Sequence, residues 1–184
     1  METLETERLI LRPWRASDLG DFNEYCSQPD VGPNAGWKPH ESMEESEKIL
    51  ASFIDCDETK DVERALVLKE TGKAVGSFGA MTDRLRHDGM GKGREIGYVL
   101  SHDCWGRGLM PEAVRRYLRF AFEEKDFDYL AVAHFSSNMR SKRVIEKCGF
   151  RFEKVLRGAY TDYKGENPEE ICYLLTRSDY LAGI

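Results

Sequence analysis

The stretch Trp105-Gly106-Arg107-Gly108-Leu109-Met110-Pro111-Glu112-Ala113 constrains the fold most. It lies between a strand-like run, Glu95-Ile96-Gly97-Tyr98-Val99-Leu100, and a long segment with helical periodicity. Apolar residues recur at Met110, Ala113, Val114, Tyr117, Leu118, Ala121 and Phe122, while Glu112, Arg115, Arg116, Arg119, Glu123 and Glu124 take the other faces. A helix therefore starts close to Gly108. Pro111 suits its first turn, where a missing amide hydrogen costs nothing. Between Trp105 and Pro111 there is no Ser, Thr, Asp or Asn to cap the free amides, which leaves that helix end open to an outside anion.

Glycines on both sides of Arg107 let the backbone turn successive amides the same way and admit a ligand without a Cβ in its path. With the helix dipole and the Arg107 charge added, the turn is suited to a pyrophosphate. An ordinary tight strand-to-helix turn has the same spacing and stays open as an alternative. The nucleotide P-loop is excluded because no Gly-Lys-Ser/Thr follows, and the dinucleotide fingerprint is incomplete.

Composition narrows the function classes. The 184 residues are 41% hydrophobic and 33% charged, compatible with one globular domain over 1–184. A net charge of -6 argues against direct nucleic-acid binding, which needs a basic stripe, and mildly favours cationic substrates. The five cysteines are scattered without a Cys-x-x-Cys pair, so reduced core thiols are expected, and the four dispersed histidines suggest no metal site. No run approaches the ~18 apolar residues of a membrane span, so the expectation is a cytoplasmic protein without membrane contact.

Along the chain, Leu9-Ile10-Leu11 reads as a strand, and Ser17-Asp18 as the cap of a helix from about 19 to 27. Residues 29–39 form a loop carrying Trp37. Ser42-Met43-Glu44-Glu45 fits a capping box for a second helix burying Met43, Ile49, Leu50, Phe53 and Ile54. Residues 65–69 and 73–81 read as a hairpin. Residues 83–93 read as a charged loop whose Arg84, Arg86 and Lys92, with Arg94 just beyond, are better explained as solvated charge than as phosphate ligands. Residues 129–135 read as a buried strand, 138–149 as a helix closed by Gly149, and 150–156 and 171–176 as two more strands around a long turn.

Strand, glycine-rich turn and helix resemble the acyl-CoA-binding core of the Gcn5-related N-acetyltransferases. The first and last positions of that superfamily's Gln/Arg-x-x-Gly-x-Gly/Ala pattern differ here, being Trp105 and Met110. Trp-Gly-Arg-Gly followed by Glu112-Ala113 is similar to the branch that modifies ribosomal-protein N-termini. The opening Thr6-Glu7-Arg8-Leu9-Ile10-Leu11-Arg12, the run from Asn138 to Phe150, and the segment 158–175 follow in the order that branch shows. The resemblance implies an α+β fold with a motif-bearing core over about 7–177. It would have a mixed, mostly antiparallel sheet of about six to seven strands, about four flanking helices, and a cofactor cleft between two splayed central strands.

The reaction so implied is aminolysis of a thioester. An amine must be neutral to attack, the developing oxyanion needs donors, and the departing thiolate benefits from a proton. Glu95, Gly97 and Val99 share one strand face. Glu95, a carboxylate heading an apolar strand, is the candidate base because partial burial would raise its pKa; a strand-end Glu in water or paired with Arg94 is the alternative. The resemblance implies that backbone around Val99 and Leu100 donates to the pantetheine arm. It places acetyl-CoA on Trp105, Gly106, Arg107, Gly108, Leu109 and Met110, with Asn138 on the pantetheine and Ser141 near the sulfur as cofactor contact and possible general acid. Asn138 could also cap its helix, and Ser141 could bond back to a helix carbonyl. Trp37, Tyr160 and Asp162 are the acceptor-site candidates. Cys104, Leu109 and Met110 would bound the acyl pocket.

The expected activity is acetyl-CoA-dependent transfer to a primary amine, first of all a protein N-terminal α-amine. The alternatives are a polyamine, an amino acid or an aminoglycoside-like small amine, or a non-catalytic acyl-CoA-binding module. The expected partner is the acceptor amine, on a peptide N-terminus or a small molecule, with the protein a monomer or homodimer.

Overall fold

The structure, a computed structural model, describes residues 2–183 apart from 57–60, 85, 86 and 88. Its strands are β1 (Leu4–Glu5), β2 (Leu9–Pro13), β3 (Val62–Leu68), β4 (Ala74–Met81), β5 (Gly93–Leu100), β6 (Tyr129–Phe135), β7 (Arg151–Leu156) and β8 (Glu170–Thr176). They make one sheet in the order β1-β2-β3-β4-β5-β6-β8-β7. The β5–β6 pair is parallel and the other neighbours are antiparallel. A parallel pair needs a long crossover, and the helix α3 (Leu109–Arg119) supplies it. The remaining helices are α1 (Leu19–Cys26), α2 (Met43–Ile54), α4 (Met139–Lys147) and α5 (Arg177–Leu181).

Alternation along the strands sorts side chains onto two helix-covered faces. Ile96 and Leu100 of β5, Phe78 of β4 and Leu66 of β3 join Met110, Ala113, Val114, Tyr117, Leu118 and Phe122 in one core beneath α3 and α4. Ala65 and Val67 of β3 join Phe22, Tyr25 and Leu50 beneath α1 and α2, with Val99 packed against them. Every apolar position that the helical periodicity assigned to α3 is buried.

Several local expectations are corrected. The sheet has eight strands, because Leu4–Glu5 adds a two-residue edge paired with Leu11 and Ile10. A fifth helix follows Thr176, whose hydroxyl accepts from the Asp179 amide as its cap. Asp18 makes no capping bond to α1; its buried carboxylate takes the Arg12 guanidinium in a two-pronged pair at 2.7 and 2.8 Å. Ser42 caps α2 through the Glu45 amide as expected, but Met43 and Ile54 face solvent. The inward face of α2 instead buries Ser46, whose hydroxyl lies 2.8 Å from His40 Nδ1.

Candidate active site

The parallel ladder pairs Gly93, Arg94, Glu95 and Ile96 with Tyr129, Leu130, Ala131 and Val132, and there it stops. Beyond that point Gly97–Leu100 continues to pair with β4 only, while Ala133–Phe135 pairs with β8 only. Between these diverging halves opens a cleft of about 540 Å³. Its lining combines the splayed backbone of residues 96–100, the turn at Trp105, Gly106 and Gly108, Met110 of α3, and Ser141 of α4. From the opposite sheet face come Val31, Asn34 and Tyr160. The cleft therefore reaches both faces of the sheet. Backbone polar groups on the β6 side of residues 97–100 have no strand to bond, and apart from the Leu100 carbonyl, which accepts the Trp105 indole N–H, they are open to an extended ligand.

At one end stands the glycine-flanked turn. Gly106 and Gly108 both take left-handed dihedrals, φ 74° and 76°, which a Cβ would strain. Gly108 is the N-cap of α3 and no side chain caps that helix, so its first amides stay free for an anion. The turn is braced from behind. Arg8 donates from its guanidinium to the Arg107 carbonyl at 2.9 Å, and Glu112 accepts from the Thr6 hydroxyl, the Arg8 amide and Arg8 Nε at 2.5, 2.9 and 2.7 Å. The opening Thr-Glu-Arg segment and the Glu112-Ala113 pair are thus two halves of one contact. Arg107 is outside the cleft lining; its guanidinium lies 3.8 Å from Glu70 and 3.9 Å from Cys104 Sγ. Cys104, Leu109 and Met110 are buried and line the cleft.

Where the strands part, Glu95 is 4% exposed and lines the cleft. Burial pushes its carboxyl above the usual range, and the Arg84 charge works against that. Arg84 reaches Glu95 Oε1 at 3.0 Å and holds Glu170 by two bonds at 3.1 and 2.5 Å. Arg84 is thus an ion-pair partner of two buried carboxylates, which corrects its reading as solvated charge. Glu170, 2% exposed, also lines the cleft; a strand-end Glu in the sequence gave no sign of this long-range pairing. Arg94 is the second residue of β5; Lys92 donates its amide to Asp128 Oδ2 at 2.6 Å; Arg86 lies outside the described residues.

On the other wall, Asn138 caps α4, its side-chain oxygen accepting from the Ser141 amide at 3.1 Å while its Nδ2 donates to the Asn34 carbonyl at 3.0 Å. That second bond ties the α1–α2 connection to α4 across the cleft. The Ser141 hydroxyl lies 3.1 Å from the Tyr98 hydroxyl. Burial raises the Tyr98 phenol well above its ordinary value, with the Ser141 hydrogen bond opposing, so it stays protonated. The pair presents two neutral hydroxyls beside the splayed strand. Tyr98 went unnoticed in sequence because alternation alone shows an inward aromatic, not its hydroxyl partner. Trp105 donates its indole N–H to the Leu100 carbonyl at 2.8 Å, stacks on His102 at 4.5 Å, and carries the Arg140 guanidinium 4.5 Å above its ring.

Among the acceptor-site candidates, Tyr160 lines the cleft, with its ring on Phe135 and its hydroxyl donating to the Gly36 carbonyl at 3.3 Å. Trp37 and Asp162 do not line it. Trp37 packs against His40 and the core beneath α1 and α2. Asp162 accepts from the amides of Lys164 and Glu166 at 2.9 and 2.8 Å, which shapes its own turn. The structure therefore gathers Glu95, Val99, Leu100, Trp105, Gly106, Gly108, Leu109, Met110, Asn138, Ser141 and Tyr160 around one space.

Known proteins share this fold. Residues 8–151 match the family model for the acetyltransferase (GNAT) domain. An uncharacterized N-acetyltransferase, p20 of Bacillus licheniformis, is 27% identical over 98% of this chain and 99% of its own length. The ribosomal-protein-S5-alanine acetyltransferase of Vibrio fischeri superposes with a TM-score of 0.76 at 19% identity, covering 98% of this chain and 99% of that one. The microcin C7 self-immunity acetyltransferase MccE, solved with acetyl-CoA and AMP, gives 0.79 at 16% identity, covering 93% of each chain. The splayed parallel pair, the uncapped glycine turn and the family match together establish that this chain is an N-acetyltransferase of the GNAT family.

Proposed function

We propose that the cleft binds acetyl-CoA and that the protein transfers the acetyl group to an α-amine at a protein N-terminus, in the cytoplasm. The observation that carries this reading is the end of the parallel ladder at Ile96 and Val132, which opens a cleft lined from both faces of the sheet. The residues fit the cofactor. Gly106 and Gly108 aim free amides at the end of α3 for the pyrophosphate, the open backbone edge of Val99 and Leu100 suits the pantetheine amides, and Cys104, Leu109 and Met110 bound a small apolar pocket. Bound acetyl-CoA supplies the activated acetyl group.

The chain's own residues then have separate duties. Glu95, lifted by burial, takes the acceptor's proton directly or through water. The Ser141 hydroxyl, backed by Tyr98, donates toward the sulfur position, and Asn138 holds Ser141 by capping its helix. Tyr160 and Asn34 line the acceptor entrance. An α-amine is favoured over a lysine because Glu95 is committed to Arg84 at 3.0 Å, which restrains it as a base. An α-amine, with a pKa of about 7.7–8.0, is substantially neutral at physiological pH, whereas a lysine near 10.4 is not. Similarity to the S5-alanine acetyltransferase supports the same acceptor class.

The test is thiol release from acetyl-CoA with a peptide bearing a free N-terminal Ala or Ser and an internal Lys, the same peptide with its N-terminus blocked, and spermidine. Turnover of the free peptide alone supports the proposal. Turnover of spermidine, or of the blocked peptide, with none of the free one would overturn it.

A further inference from the structure

One buried titratable side chain outside the cleft has no part in the chemistry described above. His87 is 7% exposed and does not line the cleft. Each of its ring nitrogens meets a carboxylate oxygen at 2.7 Å, Nδ1 facing Asp83 Oδ2 and Nε2 facing Glu153 Oε2. Contacts this short to carboxylates are among the stronger hydrogen bonds, and two on opposite edges fix the ring in place and orientation. The His87 amide and the Tyr129 hydroxyl both donate to the same Asp83 oxygen, at 3.0 Å each, and the Tyr129 ring lies 5.2 Å from the imidazole.

This clamp is anchored on two strands. Tyr129 opens β6 in register with Gly93 of β5, so it shares the sheet face of Glu95. Glu153 belongs to β7 and is the residue at which that strand slips register. Phe152 pairs with Tyr173 and Lys154 with Cys172, which leaves Glu153 without a ladder partner. A bulge of this kind re-aims a side chain. Here the re-aimed carboxylate is the one that meets His87, with its second oxygen 3.6 Å from Lys154 Nζ.

What the clamp holds is residue 84. Arg84 follows Asp83 directly; its amide donates to Glu95 Oε2 at 3.3 Å and its guanidinium reaches Glu95 Oε1 at 3.0 Å. Both oxygens of the candidate base thus rest on one residue. The Arg84 side chain is 43% exposed, and a half-exposed arginine on an unanchored segment gains little from an ion pair, because ordering it costs much of what the pair returns. The charged groups facing Glu95 are Arg84, which favours its ionised form, and Asp83 and Glu170, which act with burial against it. Arg84 is the cation among them, so its placement decides the state of the carboxyl.

We infer, on the reading of Glu95 as the base, that His87 is a positioning residue for the transfer reaction. Held between Asp83 and Glu153, it anchors Arg84 on Glu95 and so keeps that carboxylate ionised at the cleft.

The experiment compares His87→Phe and Glu153→Ala with wild type. His87→Phe keeps a ring against Tyr129 and loses both nitrogens; Glu153 is 30% exposed, so its variant tests the clamp even where His87→Phe fails to fold. One readout is the titration of the Glu95 carboxyl in the free protein by carbon NMR, assigned by its loss in Glu95→Gln. The other is kcat/KM for a peptide with a free N-terminus at pH 6 and pH 8.5. Both variants should titrate Glu95 at higher pH than wild type. In His87→Phe, kcat/KM should fall by about tenfold at pH 6 and stay within about twofold at pH 8.5, with a smaller fall at pH 6 in Glu153→Ala. The amine is the same throughout, so its own ionisation cancels in the ratio to wild type. Folded variants that leave the Glu95 titration in place, or that lose activity equally at both pH values, overturn the positioning role. Wild-type kcat/KM in Glu95→Gln at both pH values overturns the base reading, and with it any part for His87 in the transfer. The carboxyl titration separates these two failures because it needs no turnover.

Discussion

Replacing Glu112 with Ala cuts the brace behind the glycine turn, and the structure gives the size of the loss. The carboxylate accepts from the Thr6 hydroxyl at 2.5 Å, from the Arg8 amide at 2.9 Å and from Arg8 Nε at 2.7 Å. The Arg8 side chain is 43% exposed, so its ion pair contributes only about 0.5 kcal/mol. Each of the other two bonds, made to a charged acceptor, contributes roughly 1.5 kcal/mol. Glu112→Ala should therefore lose about 3.5 kcal/mol and about 7–14 °C in melting temperature. Burial works against the Glu112 charge, but the bonds from Thr6 and Arg8 outweigh it and hold the carboxyl below its usual range. A depressed carboxyl stabilises above its unfolded pKa and loses that contribution as pH falls through its folded value, so the gap should narrow below about pH 4. Urea unfolding followed by circular dichroism at pH 7 and pH 3.5 measures both. A loss under about 1 kcal/mol at pH 7, or a gap that widens in acid, would refute the bracing argument. Because Arg8 also holds the Arg107 carbonyl, the variant should raise KM for acetyl-CoA more than it lowers kcat.

Burial lifts the Glu63 carboxyl to about 7, with the Asp61 charge adding and Arg64 opposing. A raised carboxyl stabilises only while protonated and that contribution is lost as pH rises toward 7, so Glu63→Gln should stabilise by up to about 3 kcal/mol at pH 8.5 and far less at pH 5. Equal effects in urea titrations at the two pH values would count against it. Ser141→Ala should lower kcat by roughly a hundredfold with little change in KM, and Tyr98→Phe by less; a Ser141→Ala enzyme within twofold of wild type would remove the hydroxyl from proton transfer. Glu95→Gln should remove one of the two ionisations on the acidic limb of the kcat/KM profile for a peptide acceptor, leaving that of the amine, and an unchanged limb would assign the lost ionisation to another group.

The sequence was most legible where local chemistry and periodicity agree. The α3 stripe, the glycine turn and the missing cap all concern neighbours within one or two helical turns, and each lies where spacing placed it. Contacts between distant segments were not readable. Arg84 looked solvated because its partners, Glu95 and Glu170, are 11 and 86 positions away and meet it only after β5, β6 and β8 assemble. Asp18 suited a helix cap by type, yet Arg12 outcompeted the α1 amides for its carboxylate. Met43 and Ile54 shared a helical period with buried residues, but α2 turns Ser46 and Leu50 inward. Trp37 and Asp162 are of types that often meet ligands; here one packs under α1 and α2 and the other closes a turn.

The most direct measurement is a titration with acetyl-CoA, following melting temperature, of wild type and Gly108→Trp. Gly108 is left-handed at φ 76°, so the variant starts from a lower melting temperature and each protein serves as its own reference. With ligand at about a hundred times Kd, binding adds roughly 2.7 kcal/mol, or about 5–11 °C for a chain of this size. The prediction is a saturable rise of that order in wild type, absent from Gly108→Trp, where the indole fills the phosphate seat. No rise in wild type at millimolar acetyl-CoA, or the same rise in both proteins, would contradict a cofactor held at the start of α3.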